Sequence, residues 1–216
     1  MPLSPPLAIV MAIIGGYLLG SIPSGVLIGR WLRGIDIRDY GSGKSGATNA
    51  MRSLGAKGFI MTFVADAAKA MLAVVLGWQL LGGIFEPALA GSIPAIAAIL
   101  GHNWSIFLRF SGGRGVASSF GAMLLLFWPG ALVGLITAGV LIATTKYVSL
   151  GSILGTVVGL MVTLIGVFVQ PSGPGLIIFG LVTAMLVIVQ HRDNITRLLA
   201  GTERKIGQRA DSSTMV

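Results

Sequence analysis

The chain has 216 residues, of which 54% are hydrophobic and 10% are charged, a balance far more apolar than that of soluble domains. It carries 15 Lys and Arg against 7 Asp and Glu, giving a net charge of +8, and it has no cysteine. This composition excludes a soluble enzyme, and the missing thiol excludes disulfides, thiolate metal sites and a cysteine acyl-enzyme. Apolar runs without strand-like alternation satisfy their backbone in lipid only as helices, so the sequence predicts an all-α integral membrane protein.

Six apolar runs predict the membrane spans in chain order. They fall at about 8 to 29, 59 to 82, 88 to 108, 116 to 145, 149 to 169 and 174 to 190. The fourth run is broken by Trp128-Pro129-Gly130, which predicts two short helices that meet at a turn, and hence seven spans. The sequence therefore predicts a single seven-transmembrane helical bundle over residues 1 to 206, followed by a polar tail at 207 to 216.

The placement of charges predicts the orientation of these spans. With the N-terminus outside, fourteen of the fifteen basic residues lie in the inner loops and the C-terminal tail, and Glu86 is the one charged residue outside. Basic residues concentrate on the cytoplasmic side of a membrane, so we expect an outer N-terminus and a cytoplasmic C-terminus. Treating 116 to 145 as one helix would put Lys146 and the tail toward opposite sides and break this pattern.

The first polar, glycine-rich cluster runs from Gly41 to Asn49 (GSGKSGATN). A nucleotide-binding P-loop is excluded here, because the glycine it needs five positions before Gly43 is Arg38 and no strand precedes it. What remains is a nest of backbone N–H groups suited to a phosphate. The alternative is a solvated loop in which Thr48 or Asn49 caps the next helix. The predicted phosphate or substrate contacts are Gly41, Ser42, Gly43, Gly46, Thr48, Asn49 and Arg52.

The second cluster is Ser111 to Ala117 (SGGRGVA). Its arginine, Arg114, offers a guanidinium that can hold a phosphate through two parallel hydrogen bonds. Glycines on both sides allow close approach of the backbone to an anion. The predicted substrate contacts in this cluster are Gly112, Gly113, Arg114 and Gly115.

Three ionisable residues lie inside predicted spans. His102, near the inner end of its span, is a candidate substrate contact, although a lone membrane histidine is often a structural hydrogen-bonding group. Asp66 and Lys69 are three residues apart on one helix and are costly in lipid unless they pair or line a cavity. The sequence leaves open both an intrahelical ion pair and a role toward substrate.

The third cluster, His191 to Arg197 (HRDNITR), follows the last apolar run. His191 and Asn194 are three residues apart, so they share one face of a helix at the cytoplasmic end of the last span. The arginines of the cluster serve equally well as topology anchors. Because all three clusters and the segment Lys146 to Ser149 reach the cytoplasmic face, we expect them to form one site.

The order and spacing of these motifs resemble the bacterial PlsY family, the acyl-phosphate-dependent glycerol-3-phosphate acyltransferases, from about residue 15 to residue 206. The resemblance implies a seven-helix bundle in the bacterial inner membrane, with its active site on the cytoplasmic side. The motifs that carry it are Gly20-Ser21, GSGKSGATN with Arg52, Asp66-x-x-Lys69, GHNW followed by SGGRGVAS, Tyr147-Val148-Ser149-Leu150, and HRDNITRLLAGTERKI.

This resemblance also implies a reaction and its partners. A fatty acyl group passes from acyl phosphate to the sn-1 hydroxyl of glycerol 3-phosphate, giving lysophosphatidic acid and phosphate, in contact with the lipid bilayer. Matched position by position, the family pattern places Ser42, Arg52, Arg114, Ser149, His191 and Asn194 at the active site.

Among these residues we assign Ser149, His191 and Asn194 to catalysis. Ser149 would hydrogen-bond substrate, and His191 with Asn194 would orient the attacking glycerol or stabilise the developing oxyanion. His191 as general base is the alternative, as is a substrate phosphate that takes the proton. The chain departs from the common family pattern at Lys44-Ser45, Ala70, Ser105 and Arg114.

The residue types agree with this chemistry. An acyl phosphate is already activated, so the site must mainly gather two phosphates and hold a hydroxyl close to a carbonyl. Basic groups and backbone donors do this, and the clusters are poor in carboxylates. No metal and no cofactor are expected. Neither histidine has an aspartate five positions on, which excludes the acyltransferases that use a His-x4-Asp pair.

Other functions fit the sequence less well. A small-anion transporter would show a polar path across the bilayer or an inverted repeat, and a phosphatidyl-transferring enzyme would need clustered aspartates for a divalent metal. A non-catalytic membrane scaffold would not gather its polar clusters at one face, and basic charge confined to loops gives no reason to expect nucleic acid. A divergent paralogue with another acceptor remains an alternative, and the oligomeric state is open.

Overall fold

A computed structural model describes residues 3 to 169 and 173 to 206, and throughout these ranges the regular structure is helical. This confirms the all-α class, while the predicted tail at 207 to 216 lies outside the described residues. The helices are α1 (Pro5–Ser21), α2 (Ser24–Arg33), α3 (Ala47–Leu81), α4 (Pro87–Asn103), α5 (Val116–Leu126), α6 (Trp128–Thr145), α7 (Val148–Val169), α8 (Pro174–Gln190) and α9 (Arg192–Leu199).

Several of these helices are long and apolar enough to cross a membrane. Within the described ranges five segments qualify, and α8 with α9, bent by 60°, makes a sixth if the two form one broken span. The shorter helix α5 is apolar over 11 residues. The five segments are Pro5–Arg33, Ala47–Leu81, Pro87–Leu108, Trp128–Thr145 and Val148–Phe168.

The break predicted in the fourth apolar run is confirmed. The helix α5 ends at Leu126, Phe127 has non-helical torsion angles (φ −158°, ψ 84°), and α6 begins at Trp128. Pro129 falls in the first turn of α6, where its missing N–H has no intrahelical partner to lose. One apolar run therefore folds as two helices.

Two boundaries differ from the apolar runs. The run at 8 to 29 is interrupted after Ser21, because Pro23 cannot donate to the preceding turn, and α2 starts afresh at Ser24. The helix α3 begins at Ala47, well before its apolar run near 59, and bends at Gly55, whose φ is 78°. Hydropathy marks the lipid-facing part of a helix, so it misses these polar first turns.

Small residues allow the helices to approach closely. A Cβ atom on Gly20 of α1 would overlap the Ala98 carbonyl of α4, and one on Gly155 of α7 would lie 2.7 Å from the Gly134 oxygen of α6. Such contacts are how helices associate in lipid, where no hydrophobic force favours pairing. The packing of α6 on α7 and of α1 on α4 leaves α5 between α3 and α6, in contact with both.

Candidate active site

A cavity of about 300 Å³ lies where the three polar clusters meet. It brings together residues that are far apart in the chain, as the sequence predicted. Of the predicted site residues, Gly41, Gly43 and Gly112 are not part of its lining. Those that line it are Ser42, Gly46, Thr48, Asn49, Arg52, His102, Gly113, Arg114, Gly115, Ser149, His191 and Asn194.

Asn49 organises the first cluster. Its Oδ1 accepts a hydrogen bond from the Ser42 N–H at 2.9 Å, and its Nδ2 donates to the carbonyls of Ile37 (2.6 Å) and Lys44 (2.9 Å). Gly41 (φ 64°) packs so tightly on Asn49 that a Cβ atom would overlap the amide oxygen. The Asn49 side-chain amide therefore makes its hydrogen bonds to the loop itself. This arrangement suits a residue that positions the loop, instead of one that contacts phosphate.

The first turn of α3 borders the cavity. The N-cap of α3 is Gly46, without a side-chain cap, so the alternative in which Thr48 or Asn49 caps this helix is wrong. Gly46, Ala47 and Thr48 line the cavity. Backbone N–H groups in a first turn have no intrahelical partner and carry the positive end of the helix dipole. This end of α3 can therefore receive an anion.

The second cluster is folded against the end of α4. The Gly113 N–H donates to the His102 carbonyl at 3.0 Å. A Cβ atom on Gly112 would overlap that carbonyl, and one on Gly113 would overlap the His102 imidazole. Gly115, with φ 80°, leads into α5. These glycines are required mainly by close packing, and they present Arg114, whose Nε is buried without a hydrogen-bond partner among the described residues.

His191 lies at the junction of α8 and α9, where the two helices meet at 60°. The two residues do not extend α8: His191 is the N-terminal cap of the separate helix α9, and Asn194 lies within α9. The His191 Nδ1 lies 2.8 Å from the Val187 carbonyl, which can only accept, so Nδ1 carries hydrogen. In the neutral ring, Nε2 then holds the lone pair.

Glu203, which the sequence did not single out, ties the third cluster together. Its Oε1 accepts hydrogen bonds from Ser149 Oγ (2.8 Å) and Asn194 Nδ2 (2.7 Å), and its Oε2 accepts from Arg197 Nε (2.7 Å). Burial would raise the pKa of Glu203, but these three donors outweigh burial and hold the pKa below its ordinary value. The cavity thus takes in a carboxylate from outside the three clusters.

The segment that carries Glu203 returns to the turn between α6 and α7. The Ile206 N–H donates to the Lys146 carbonyl at 2.9 Å, and Lys205 Nζ lies 5.3 Å from the centre of the Tyr147 ring. Glu203 is thereby placed beside Ser149, which is the second residue of α7. The one sequence signal for this was an acidic residue in an otherwise basic segment.

Asp66, Lys69 and His102 form a buried group, of which Asp66 and His102 line the cavity. Lys69 Nζ lies 2.8 Å from Asp66 Oδ1, which confirms the intrahelical ion pair, and it also donates to the Ile22 carbonyl at 2.9 Å. His102 Nδ1 lies 3.3 Å from the same Asp66 oxygen. The carboxylate is therefore shared by one residue of its own helix and one of α4.

The remaining cations of the cavity are unpaired. Lys44, Arg52 and Arg114 line it, and none makes an ion pair within the described part of the chain. Arg204 also lines the cavity, near enough to Arg52 for the two charges to repel. Like charges gathered at one end of a cavity repel one another, so this end of the cavity suits an anion that comes from outside.

The other end of the cavity is apolar. Its walls come from α3, α5 and α6. One cavity thus combines a cationic pocket with space for a hydrocarbon chain. The side chains of the apolar end are Phe59, Phe63, Phe120, Leu135, Ala138 and Ile142.

The chain is similar in sequence to one family of known proteins. The sequence pattern of the glycerol-3-phosphate acyltransferase family matches residues 10–201. A glycerol-3-phosphate acyltransferase of Thermoanaerobacter sp. (strain X514) is 43% identical over 204 residues, which cover 94% of this chain and 98% of that protein. One of Trichlorobacter lovleyi is 44% identical over 194 residues, covering 89% and 95%.

Solved structures are also similar. The crystal structure of PlsY (YgiH), an integral membrane glycerol 3-phosphate acyltransferase, in its glycerol 3-phosphate form, superposes with a TM-score of 0.81 at 32% identity, covering 92% of this chain and 96% of that one. Its lysophosphatidic acid form gives a TM-score of 0.80.

Proposed function

Because the chain belongs to the glycerol-3-phosphate acyltransferase family, we propose that it transfers a fatty acyl group from acyl phosphate to the sn-1 hydroxyl of glycerol 3-phosphate. The products are lysophosphatidic acid and inorganic phosphate. Family membership makes the chain an acyltransferase of phospholipid biosynthesis, which sets aside the small-anion transporter. The observation that carries the proposed donor is the joint cavity, in which unpaired cations adjoin an apolar space.

The cations and the backbone would hold the two phosphates. Arg52 and Arg114 have no carboxylate partner in the part of the chain that the structure describes, and a guanidinium binds phosphate through two hydrogen bonds at once. The first turn of α3, with Ser42 beside it, adds backbone and hydroxyl donors. The two phosphates repel each other in water, and this repulsion is the main obstacle to the reaction. With these donors around them, the two anions can lie close together.

The third cluster would handle the hydroxyl. Asn194 Nδ2 is committed to Glu203, so its Oδ1, buried without a partner in the described structure, is left to accept a hydrogen bond from substrate. The lone pair on His191 Nε2 would accept the hydroxyl proton, a role that suits a general base better than an oxyanion donor. Ser149, held by Glu203, stands beside them.

In the reaction, the sn-1 oxygen attacks the carbonyl carbon of the acyl phosphate. The new ester bond forms as the bond between that carbon and the phosphate oxygen breaks, and the phosphate leaves with the bonding electrons. The proton of the hydroxyl goes to His191 and from there to the released phosphate. Cations around the phosphate stabilise the charge that the leaving group gains.

The proposed setting is the bacterial inner membrane, with seven spans, an outer N-terminus and a cytoplasmic active site. Counting α1 with α2 as one span and each helix from α3 to α8 as one gives seven. The support for the orientation is the basic bias of the loops on the cavity side. Residues 1 to 206 form the acyltransferase domain in this proposal, and the bilayer supplies the acyl donor to the apolar end of the cavity.

The test is a donor comparison with purified protein in lipid nanodiscs. Glycerol 3-phosphate is offered with palmitoyl phosphate, palmitoyl-CoA or palmitoyl acyl carrier protein, without added metal, and both lysophosphatidic acid and phosphate are measured. We expect equal amounts of both products from palmitoyl phosphate and none from the other donors. Lysophosphatidic acid formed from either thioester would contradict the proposal. So would the absence of product with all three donors.

A second test concerns His191. We expect His191→Ala to lower kcat at saturating concentrations of both substrates by about 100-fold, the usual contribution of a positioned general base. His191→Ala that transfers the acyl group at the normal rate would remove both the base and the orienting role.

A further inference from the structure

The buried group Asp66, Lys69 and His102 is more charged than packing requires. These residues are 1%, 5% and 5% exposed. Taking charges out of water costs several kcal/mol per ion, and apolar residues of the same volume pack as well or better. Asp66 Oδ2 is moreover left without a hydrogen-bond partner among the described residues. The group therefore has a task beyond filling space.

One end of this group holds the loop of Arg114. The His102 Nδ1 faces Asp66 Oδ1 as its donor, and the His102 carbonyl accepts a hydrogen bond from the Gly113 N–H at 3.0 Å. Its ring lies so close to Gly113 that a Cβ atom there would overlap Nε2. Gly113 directly precedes Arg114, so the position of the His102 ring sets where the guanidinium starts.

The other end supports the first cluster. Lys69 Nζ donates to the carbonyl of Ile22, which lies in the break between α1 and α2. The helix α2 packs on the first cluster so tightly that a Cβ atom on Gly25 would overlap the Ser45 carbonyl. A single carboxylate, Asp66, thus connects the supports of both loops that border the cationic end of the cavity.

We propose that Asp66, Lys69 and His102 are positioning residues that act through the loop of Arg114. Asp66 orients the His102 ring, the ring and carbonyl of His102 hold Gly113, and Gly113 places Arg114 on its phosphate. The inference rests on the proposed function, since it takes a phosphate as the ligand of Arg114. In this proposal the buried charges contribute to the affinity of the site for its phosphorylated substrate.

The experiment is a double-mutant cycle on purified full-length protein. Wild type, Asp66→Asn, Arg114→Ala and the combined variant are assayed with glycerol 3-phosphate and palmitoyl phosphate, varying each in turn. We expect Asp66→Asn to raise the KM of the same substrate as Arg114→Ala, by about tenfold, with kcat little changed, because a misplaced guanidinium loses binding. In the combined variant the KM should equal that of Arg114→Ala alone, because the residue that Asp66 acts through is gone.

Two outcomes would overturn the inference. One is an unchanged KM in Asp66→Asn, and the other is a combined variant in which the two effects multiply. Binding of glycerol 3-phosphate and of inorganic phosphate, measured by calorimetry on the same proteins, gives a second readout. If wild type binds these ligands and makes no product, the proposed reaction fails, while the comparison of affinities still decides the positioning role.

Two further variants keep the test sound. Asp66→Asn leaves Lys69 as an unpaired buried charge and can prevent folding, so D66N/K69Q, which removes both charges, is prepared in parallel and should show the same rise in KM. Thr183→Val is the matched control, since Thr183 is equally buried, lies on α8 and is outside the cavity lining. A similar rise in KM in Thr183→Val would show that any buried polar change disturbs the site, and would overturn the inference.

Discussion

Two sets of basic side chains in this protein differ in what surrounds them. Lys69 and Arg197 each lie within 2.8 Å of a carboxylate oxygen. Lys44, Arg52 and Arg114, all on the cavity, have no such partner among the described residues. The first set is neutralised within the protein and serves the fold. The second set keeps its charge available, and the difference marks where a substrate anion belongs.

The largest expected effect comes from removing an unpaired cation. Arg114→Ala should raise the KM of a phosphorylated substrate about 100-fold or more, because two hydrogen bonds to a charged group are worth about 3 to 6 kcal/mol. Steady-state kinetics with each substrate varied in turn measures this, and Arg114→Lys should restore part of the loss. Arg192, whose side chain is 80% exposed, is the matched control. Equal effects of Arg114→Ala and Arg192→Ala would show that the loss does not depend on a cation at the cavity.

Breaking the pairing of Arg197 should lower activity less than Arg114→Ala does, and it should also lower stability. Glu203→Gln keeps an oxygen for Ser149 and Asn194 but leaves Arg197 without its carboxylate. We expect kcat to fall about tenfold and the free energy of unfolding to fall by about 1 to 2 kcal/mol, the usual loss for one charge-assisted hydrogen bond. Thermal melting in detergent and initial rates measure the two. A variant that melts like wild type would move Arg197 out of the paired set.

The same variant predicts a pH dependence. The folded-state pKa of Glu203 is below its ordinary value because the donors around it outweigh burial. The stability that this carboxylate contributes is therefore fully present above its unfolded pKa and is lost as the pH falls through the lowered folded pKa. The difference in melting temperature between wild type and Glu203→Gln should be full at pH 7 and shrink below about pH 4. A difference that grows on acidification would contradict the sign.

The smallest effect is expected for Lys44. Its chain is half-buried and its Nζ is a single charge on a flexible stem, so it contributes less than a two-pronged guanidinium. Lys44→Met should raise the KM of one phosphorylated substrate about threefold, and that rise should disappear at high salt because screening weakens exposed charges. A 100-fold rise would place Lys44 level with Arg114.

The sequence was sufficient for the helical class, for the break before Trp128 and for which clusters share a cavity, because these depend on local composition and on the side of the membrane. It could not show Glu203, whose partner Ser149 lies 54 positions away. Asn49 was expected to contact phosphate, whereas its amide is bound to three backbone groups. Composition shows that a polar side chain is present, and the fold decides whether its polar atoms remain free.

The late position of Glu203 in the chain has a consequence for biogenesis. This residue is synthesised after all nine described helices, and it joins Ser149 and Asn194, which come from α7 and α9. A partly made chain already inserted in the bilayer would hold both glycine-rich loops and still lack the carboxylate that unites the third cluster. Assembly of the working site is thus tied to synthesis of the segment that follows α9, so chains truncated directly after α9 should carry the membrane helices without acyl transfer.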